Sequence, residues 1–255
     1  MFSRKVNIEF ISTSKEILEI VEKPYLASKA FPEWFKKTSR YVNGEKDVDS
    51  FSDPTSTIKK CMPVVDMMSA GYHIPLCSDV WVDNNGPNNL SFKWSWELGD
   101  IVTLQKPDQH QTYPVSLGCY PSVFKWVNQW IVKTPPGWSC LFVHPQHHEE
   151  LPFRCLSAMV DTDKHPTPVN FPFFLRKGFS GLIPKDTPII QVIPFKRESF
   201  TATCGWDEEG ILKKTWDKAH TVFFDRYSRF FRSTKEFKEV ETKTKASCPF
   251  GFGNK

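Results

Sequence analysis

Twenty prolines are scattered along this chain, and their spacing limits the fold more than any other feature. Proline fixes its own φ and lacks the amide hydrogen that a helix interior or a central strand uses, so it marks turns, strand starts and edges. Between the prolines lie short runs rich in β-branched and aromatic residues. Residues 73–82, 90–96, 122–133, 138–144, 154–161, 169–175 and 188–195 read as strands. Their separators (DNNGPNN, TPPG, HPQHHEELP, DTDKHPTP, RKGFSG, IPKDTP) are dense in turn-forming residues. Many short strands at close spacing predict a sandwich, a barrel or a compact β-clip.

The two ends read differently. Residues 5–11 alternate like a strand. Thr13 to Glu16 has the pattern of a capping box ahead of the apolar stripe Ile17, Leu18 and Val21, and Pro24 stops that helix. Short helices are expected over Pro32–Lys37 and Pro63–Ala70, the second closed by Gly71, with a polar loop at Phe51–Thr57. Residues 208–238 contain no proline and place Ile211, Leu212, Trp216, Ala219, Phe223, Phe224, Tyr227, Phe230 and Phe231 at steps of three and four. That spacing predicts one long helix packed on the body or on a neighbouring subunit. The expected organisation is mainly β (α+β), a single domain over 1–238. It comprises a helical region 1–71, a β body 72–200 and a C-terminal helix 208–238, with a tail over 239–255.

Composition narrows the class. An aromatic share of 15% and a hydrophobic share of 40% suffice for a sizeable core and exclude global disorder. A net charge of +4 from 33 basic and 29 acidic residues permits a polyanionic partner without requiring one. Lys235, Lys238, Lys243 and Lys245 read as a solvated face, with nucleic-acid binding as the minority alternative. Seven cysteines with no Cys-x-x-Cys pair argue against a disulfide framework. The opening MFSRKVNIEF lacks an apolar signal core and no run reaches membrane-spanning length, so a cytoplasmic chain with reduced thiols and no membrane partner is expected. Cys140 and Cys155 fall in predicted strands, as buried inert thiols.

Several polar clusters could carry chemistry, and each has a structural alternative. Asp161 and Asp163, two apart, would share one face of a strand, one as a general base on water and the other holding Mg²⁺ on a phosphate. Alternatively Asp-Thr-Asp is a turn whose carboxylates cap backbone amides. His144, His147 and His148, followed by Glu149 and Glu150, offer Zn²⁺ or Fe²⁺ ligands, yet adjacent histidines on one loop rarely aim at one ion. His73 and Asp79 are further candidates, and a polar surface loop is the alternative. His110 and Gln111 could line a base-binding pocket or a solvent loop. Lys125, Trp126, Trp130, Lys133 and Trp138 interleave charge with rings, as in a nucleotide-stacking surface or a strand facing the core. Lys196 and Arg197 add positive charge suited to a phosphate.

The order TPPGWSCLFVHP, AMVDTDKH, VNFPFF, GLIPKDTPIIQVIPF over residues 134–195, about a quarter of the chain, resembles the trimeric dUTPase family. Pro136, Gly137 and Trp138 match its first turn. Val160, Asp161, Thr162 and Asp163 match its acidic segment, and Ile183, Lys185, Thr187, Ile189 and Gln191 its last strand. The resemblance implies a β-clip or jelly-roll-like body, a homotrimer with sites between subunits and tails crossing to a neighbour, and a nucleotide or other phosphate-bearing ligand. Asp161 would orient water, and the terminal FGFG would match a closing arm. This chain departs from the family at Gln146, His147 and His148, where phosphate-holding Arg-Ser-Gly is expected, and at Lys164, where a tyrosine lies under the base. The whole chain is also similar to an uncharacterised family of marine phage and bacterial proteins, which implies a phage or bacterial-host setting. Three functions therefore stay open: a divergent nucleotide-binding or nucleotide-hydrolysing protein with Asp161 and Asp163 in the catalytic role and His110, Gln111, Lys125, Gln191 and Arg197 as ligand contacts; a non-catalytic structural or interaction module; and a metal-dependent enzyme using the histidines.

Overall fold

A computed structural model describes residues 6–12, 14–44, 56–86, 89–106, 109–110, 112–222 and 227–241. The architecture is mainly β, with antiparallel pairing throughout the sheets. A five-stranded sheet has the order β11-β9-β14-β3-β2, where β2 is Tyr25–Leu26, β3 Tyr72–Pro75, β9 Trp138–Val143, β11 Ala158–Val160 and β14 Pro188–Lys196. A four-stranded sheet has the order β10-β12-β7-β6, with β6 Val102–Leu104, β7 Cys119–Trp126, β10 Phe153–Cys155 and β12 Phe171–Arg176. A third sheet joins β13 (Gly181–Ile183), β4 (Val80–Asn84) and β5 (Leu90–Trp94), and β1 (Glu9–Ser12) pairs with β8 (Trp130–Lys133).

The core lies between the two larger sheets and is aromatic. Trp126 stacks on Phe173 with centroids 4.2 Å apart, Phe153 meets Trp126 edge-on at 5.1 Å, and Phe142 of β9 reaches Phe171 of β12 at 5.6 Å. Cys140, Ile74, Ile190 and Val192 complete it from the five-stranded side. Each such fully buried large side chain contributes about 1.5–3 kcal/mol relative to exposure. β14 holds the centre because its Ile-Ile-Gln-Val run is buried on both faces. Pro194 is tolerated there because it lies beyond Val192, the last residue paired with β3.

The expected strands are present, cut shorter where side chains compete for the backbone. Residues 73–82 divide after Pro75 into β3 and β4. Residues 122–133 divide at Asn128, whose side-chain oxygen accepts from the Trp130 amide at 3.0 Å in an Asx turn. Residues 154–161 divide after Cys155, because β10 pairs with β12 and β11 with β9, and the first strand begins at Glu9. The three-residue β6 and β13 were not among the expected strands.

Of the helices, α1 (Lys15–Ile20) is capped by Ser14, whose Oγ accepts from the Ile17 amide at 3.1 Å; Thr13 lies outside the described residues. α2 (Glu33–Lys37) and α3 (Met62–Ser69) follow as expected, with Gly71 at φ 69° closing the second. The polar loop over Phe51–Thr57 falls largely outside the described residues.

The C-terminal region departs most from expectation. In place of a helix over 208–238, α4 spans Ile211–Val222 and a π turn spans Tyr227–Phe231. Residues 232–241 carry no helix and reach α3 and β3. Asp66 of α3, with its side chain 8% exposed, explains this course. It takes Arg232 at 2.8 Å and Lys235 at 2.9 Å, while Tyr72 donates to Lys238 O at 3.0 Å. A nearly buried carboxylate with two cations outweighs the modest propensity that would continue the helix. Phe223, Phe224 and residues 242–255, with Lys243, Lys245 and FGFG, lie outside the described residues.

Candidate functional site

Two polar clusters stand out, one at each end of the five-stranded sheet. The first gathers at the turns flanking β9, β11 and β14. Asp161 and Asp163 follow β11 in a turn, where the Lys164 and His165 amides both donate to Asp161 O. Arg197, one residue past β14, reaches across. Its guanidinium donates to Asp163 through both Nη1 (2.8 Å) and Nη2, and to Ser139 Oγ (2.8 Å) and Trp138 O (3.0 Å). The Gly137 amide donates to Asp163 at 2.9 Å and Ser139 Oγ to Asp161 at 2.7 Å, with Arg197 3.2 Å from Asp161. The two ends are thus clamped by a bidentate arginine–carboxylate pair.

The Arg197 guanidinium, followed by the Gly137 amide, holds the Asp163 carboxyl well below the usual carboxylate range. Asp163 is 5% exposed at its side chain and Asp161 54%. A divalent cation does not suit this pair, because Arg197 already stands against both carboxylates with the positive charge that Mg²⁺ would bring. Asp163 therefore performs the capping task, though on the Gly137 turn rather than on its own.

The second cluster lies beneath the N-terminal segment. His73 of β3 is paired with Tyr25 on one side and Gln191 on the other, and is 1% exposed. Its ring stands perpendicular to Tyr25 and to His148, each at 5.7 Å, and neither ring nitrogen has a hydrogen-bond partner among the described residues. Burial, reinforced by His148, pushes its pKa down to about 3. His148 has Nε2 2.8 Å from Ala30 O and Nδ1 2.8 Å from Glu150, so each nitrogen faces an oxygen. His144 accepts from the Cys155 amide at Nδ1 and lies 3.3 Å from His148 O through Nε2. That arrangement requires the neutral Nε2–H tautomer. Burial, then Arg154, push its pKa down to about 4.

His147 is exposed at φ 62°, with its carbonyl taken by Trp34 Nε1 at 2.8 Å. The rings of His144 and His148 are thus spent on separate hydrogen bonds, and no group of three or more histidines, cysteines or acidic residues among the described residues could hold a metal ion. Asp79 accepts from the Lys185 amide at 2.6 Å, away from His73.

The remaining candidates do not converge. Gln191 is fully buried; its Oε1 accepts from the Gln146 amide and its Nε2 donates to Met67 O and Ala70 O, tying α3 to the loop after β9. Lys125 is half-buried on β7 in the opposite sheet. His110 is half-buried in the β6–β7 connection, and Gln111 lies outside the described residues. Trp126 and Trp130 face the core, which is the structural alternative for the interleaved stretch. Cys140 and Cys155 are buried, and burial pushes the Cys140 thiol up to about 11.

Sequence reasoning named Asp161 and Asp163 as a pair and Arg197 apart from them. It missed that Arg197 neutralises Asp163, and it missed Ser139, Tyr25 and Asp66 entirely. Partners 34 and 166 residues apart leave no local signal. No helix among the described residues is long and apolar enough to cross a membrane. No known protein family, curated protein or solved structure matches the chain.

Proposed function

We propose that this chain is a non-catalytic structural or interaction module, a dUTPase-like β-clip or jelly-roll-like body that assembles with further copies of itself, as a homotrimer, in a phage or bacterial-host cytoplasm. One observation carries the reading. The segment from Glu198 to α4 leaves the body after the Arg197 clamp and presents its apolar side chains to solvent: Phe200 is 85%, Trp206 81% and Leu212 71% exposed. Large rings scattered singly on a surface mean little, but several along one segment mark an interaction face. The residues that would serve nucleotide chemistry are meanwhile committed inward, Asp163 to Arg197 and Gln191 to α3.

Sedimentation velocity on the wild type and on Leu212→Lys tests this reading. The expected result is a concentration-dependent trimer that the variant reduces to monomer with an unchanged circular dichroism spectrum. A wild type that stays monomeric at every concentration would overturn it.

The nucleotide-handling reading is favoured by one specific feature, the half-exposed Asp161 that accepts from Ser139. A thermal-shift screen of nucleotides with Mg²⁺ on the wild type and Asp161→Asn decides between the two. A ligand at about a hundred times its dissociation constant adds about 2.7 kcal/mol. The expected outcome is silence, whereas a shift lost in Asp161→Asn would install the nucleotide reading.

A further inference from the structure

The segment from Tyr25 to Gly44 buries Ala27 and Phe35, pairs Lys29 with Glu239, and meets Thr57 through Ser39 O and Arg40 O; its contacts nearest His73 lie at its start. Tyr25 and Leu26 pair with His73 and Tyr72, and the Ala27 amide donates to Gly71 O. Ala30 O lies against His148 and Trp34 Nε1 donates to His147 O. Lys59 holds the C-terminal carbonyls of α2 through Lys36 O and Thr38 O. His73 sits under the first of these contacts. The groups facing it are Tyr25 from β2, the Gln191 amide from β14, and His148 with its partner Glu150 and neighbour His144 from the loop after β9. Tyr25 in turn lies near Asp186 and Glu22, and His144 near Arg154 and Glu149. No carboxylate pairs with His73, and neither of its nitrogens has a hydrogen-bond partner among the described residues.

We infer that His73 is an acid-sensitive latch, holding the segment 25–44 on the β body while its imidazole is neutral and releasing it when the ring takes up a proton. A charged ring in this position faces only the Gln191 side chain, whose amide is already held by Gln146, Met67 and Ala70, and stands 5.7 Å from a second imidazole. Water reaches it most directly by lifting β2, the two-residue edge strand, because β14 on the other side is central to the sheet. The sign follows from the depressed value in the closed state. Closed and open forms bind no proton differently above the ordinary histidine value of 6.5. Below it only the open form is protonated, so the opening equilibrium rises by up to about tenfold per pH unit.

Hydrogen exchange of the full chain, corrected for the chemical rate, tests this between about pH 7.5 and about pH 5, on either side of the ordinary histidine range. Amides of residues 25–38 are expected to lose protection as pH falls, while those of β7 and β12 keep theirs. If 25–38 tracks β7 and β12, or holds constant protection, the latch is overturned. His73→Phe keeps a ring in place and removes the proton site, and is expected to abolish the pH dependence. Should that variant not fold, His73→Gln serves the same purpose. In either variant, a pH dependence equal to that of the wild type would overturn the assignment to His73.

Discussion

At the scale of single residues, the fate of Asp163 decides how the acidic pair behaves. Two aspartates two apart are visible in the sequence, and so is the alternative that they cap a turn. Their cation is not visible, because Arg197 becomes a neighbour only once β14 is laid beside β9. Arg197→Gln leaves a nearly buried carboxylate with the Gly137 amide but without its counter-charge, and is expected to lower the melting temperature clearly. Lys196→Gln breaks a pair exposed at 61% and 50% and should cost under about 1 kcal/mol. The depressed Asp163 carboxyl stabilises the folded state above its unfolded value of 3.8, and that contribution disappears as pH falls through the folded value. The penalty of Arg197→Gln should therefore shrink on acidification below about pH 4, which paired melts at neutral and acid pH would measure.

At the scale of elements, most of the strands were legible because period-two alternation and turn residues are local properties. Their lengths were less so. Asn128 ends β7 through a side-chain contact that no periodicity reveals, and β6 is too short to show alternation. The C-terminal helix shows the same limit. Apolar steps of three and four run on to Phe231, but Asp66 draws Arg232 and Lys235 out of the helical path. The junction of α3 and β3 is set by Gly71. At φ 69° it has a conformation that side chains rarely adopt, and a Cβ there would stand 2.0 Å from Val192 O. Gly71→Ala is accordingly expected to cost about 2 kcal/mol or more, from left-handed strain together with the backbone clash. Urea unfolding should show a lower midpoint with an unchanged slope.

At the scale of the whole molecule, the two sheets enclose an aromatic core and bury histidines on its margins, which ties stability to pH. His144 is held neutral, with its pKa pushed down to about 4 from 6.5. Its contribution is complete above 6.5 and declines as pH falls towards 4, since only the unfolded chain takes up that proton. The slope is about 1.4 kcal/mol per pH unit for one proton. His144→Phe should make the urea-unfolding profile shallower over that window by about one proton's worth, leaving the share of His73, whose value is likewise pushed down to about 3, and the carboxylate-driven loss at lower pH in place. By itself the sequence determined the β class, most strand positions, the short N-terminal helices and the burial of Cys140 and Cys155, because these follow from local periodicity, proline spacing and turn chemistry. Only the tertiary structure decided that Arg197 belongs to Asp163, that Asp66 captures the C-terminal segment, and that His73 is enclosed between Tyr25 and His148. Those contacts join residues far apart in the chain, and the register and order of strands, which no local pattern encodes, bring them together.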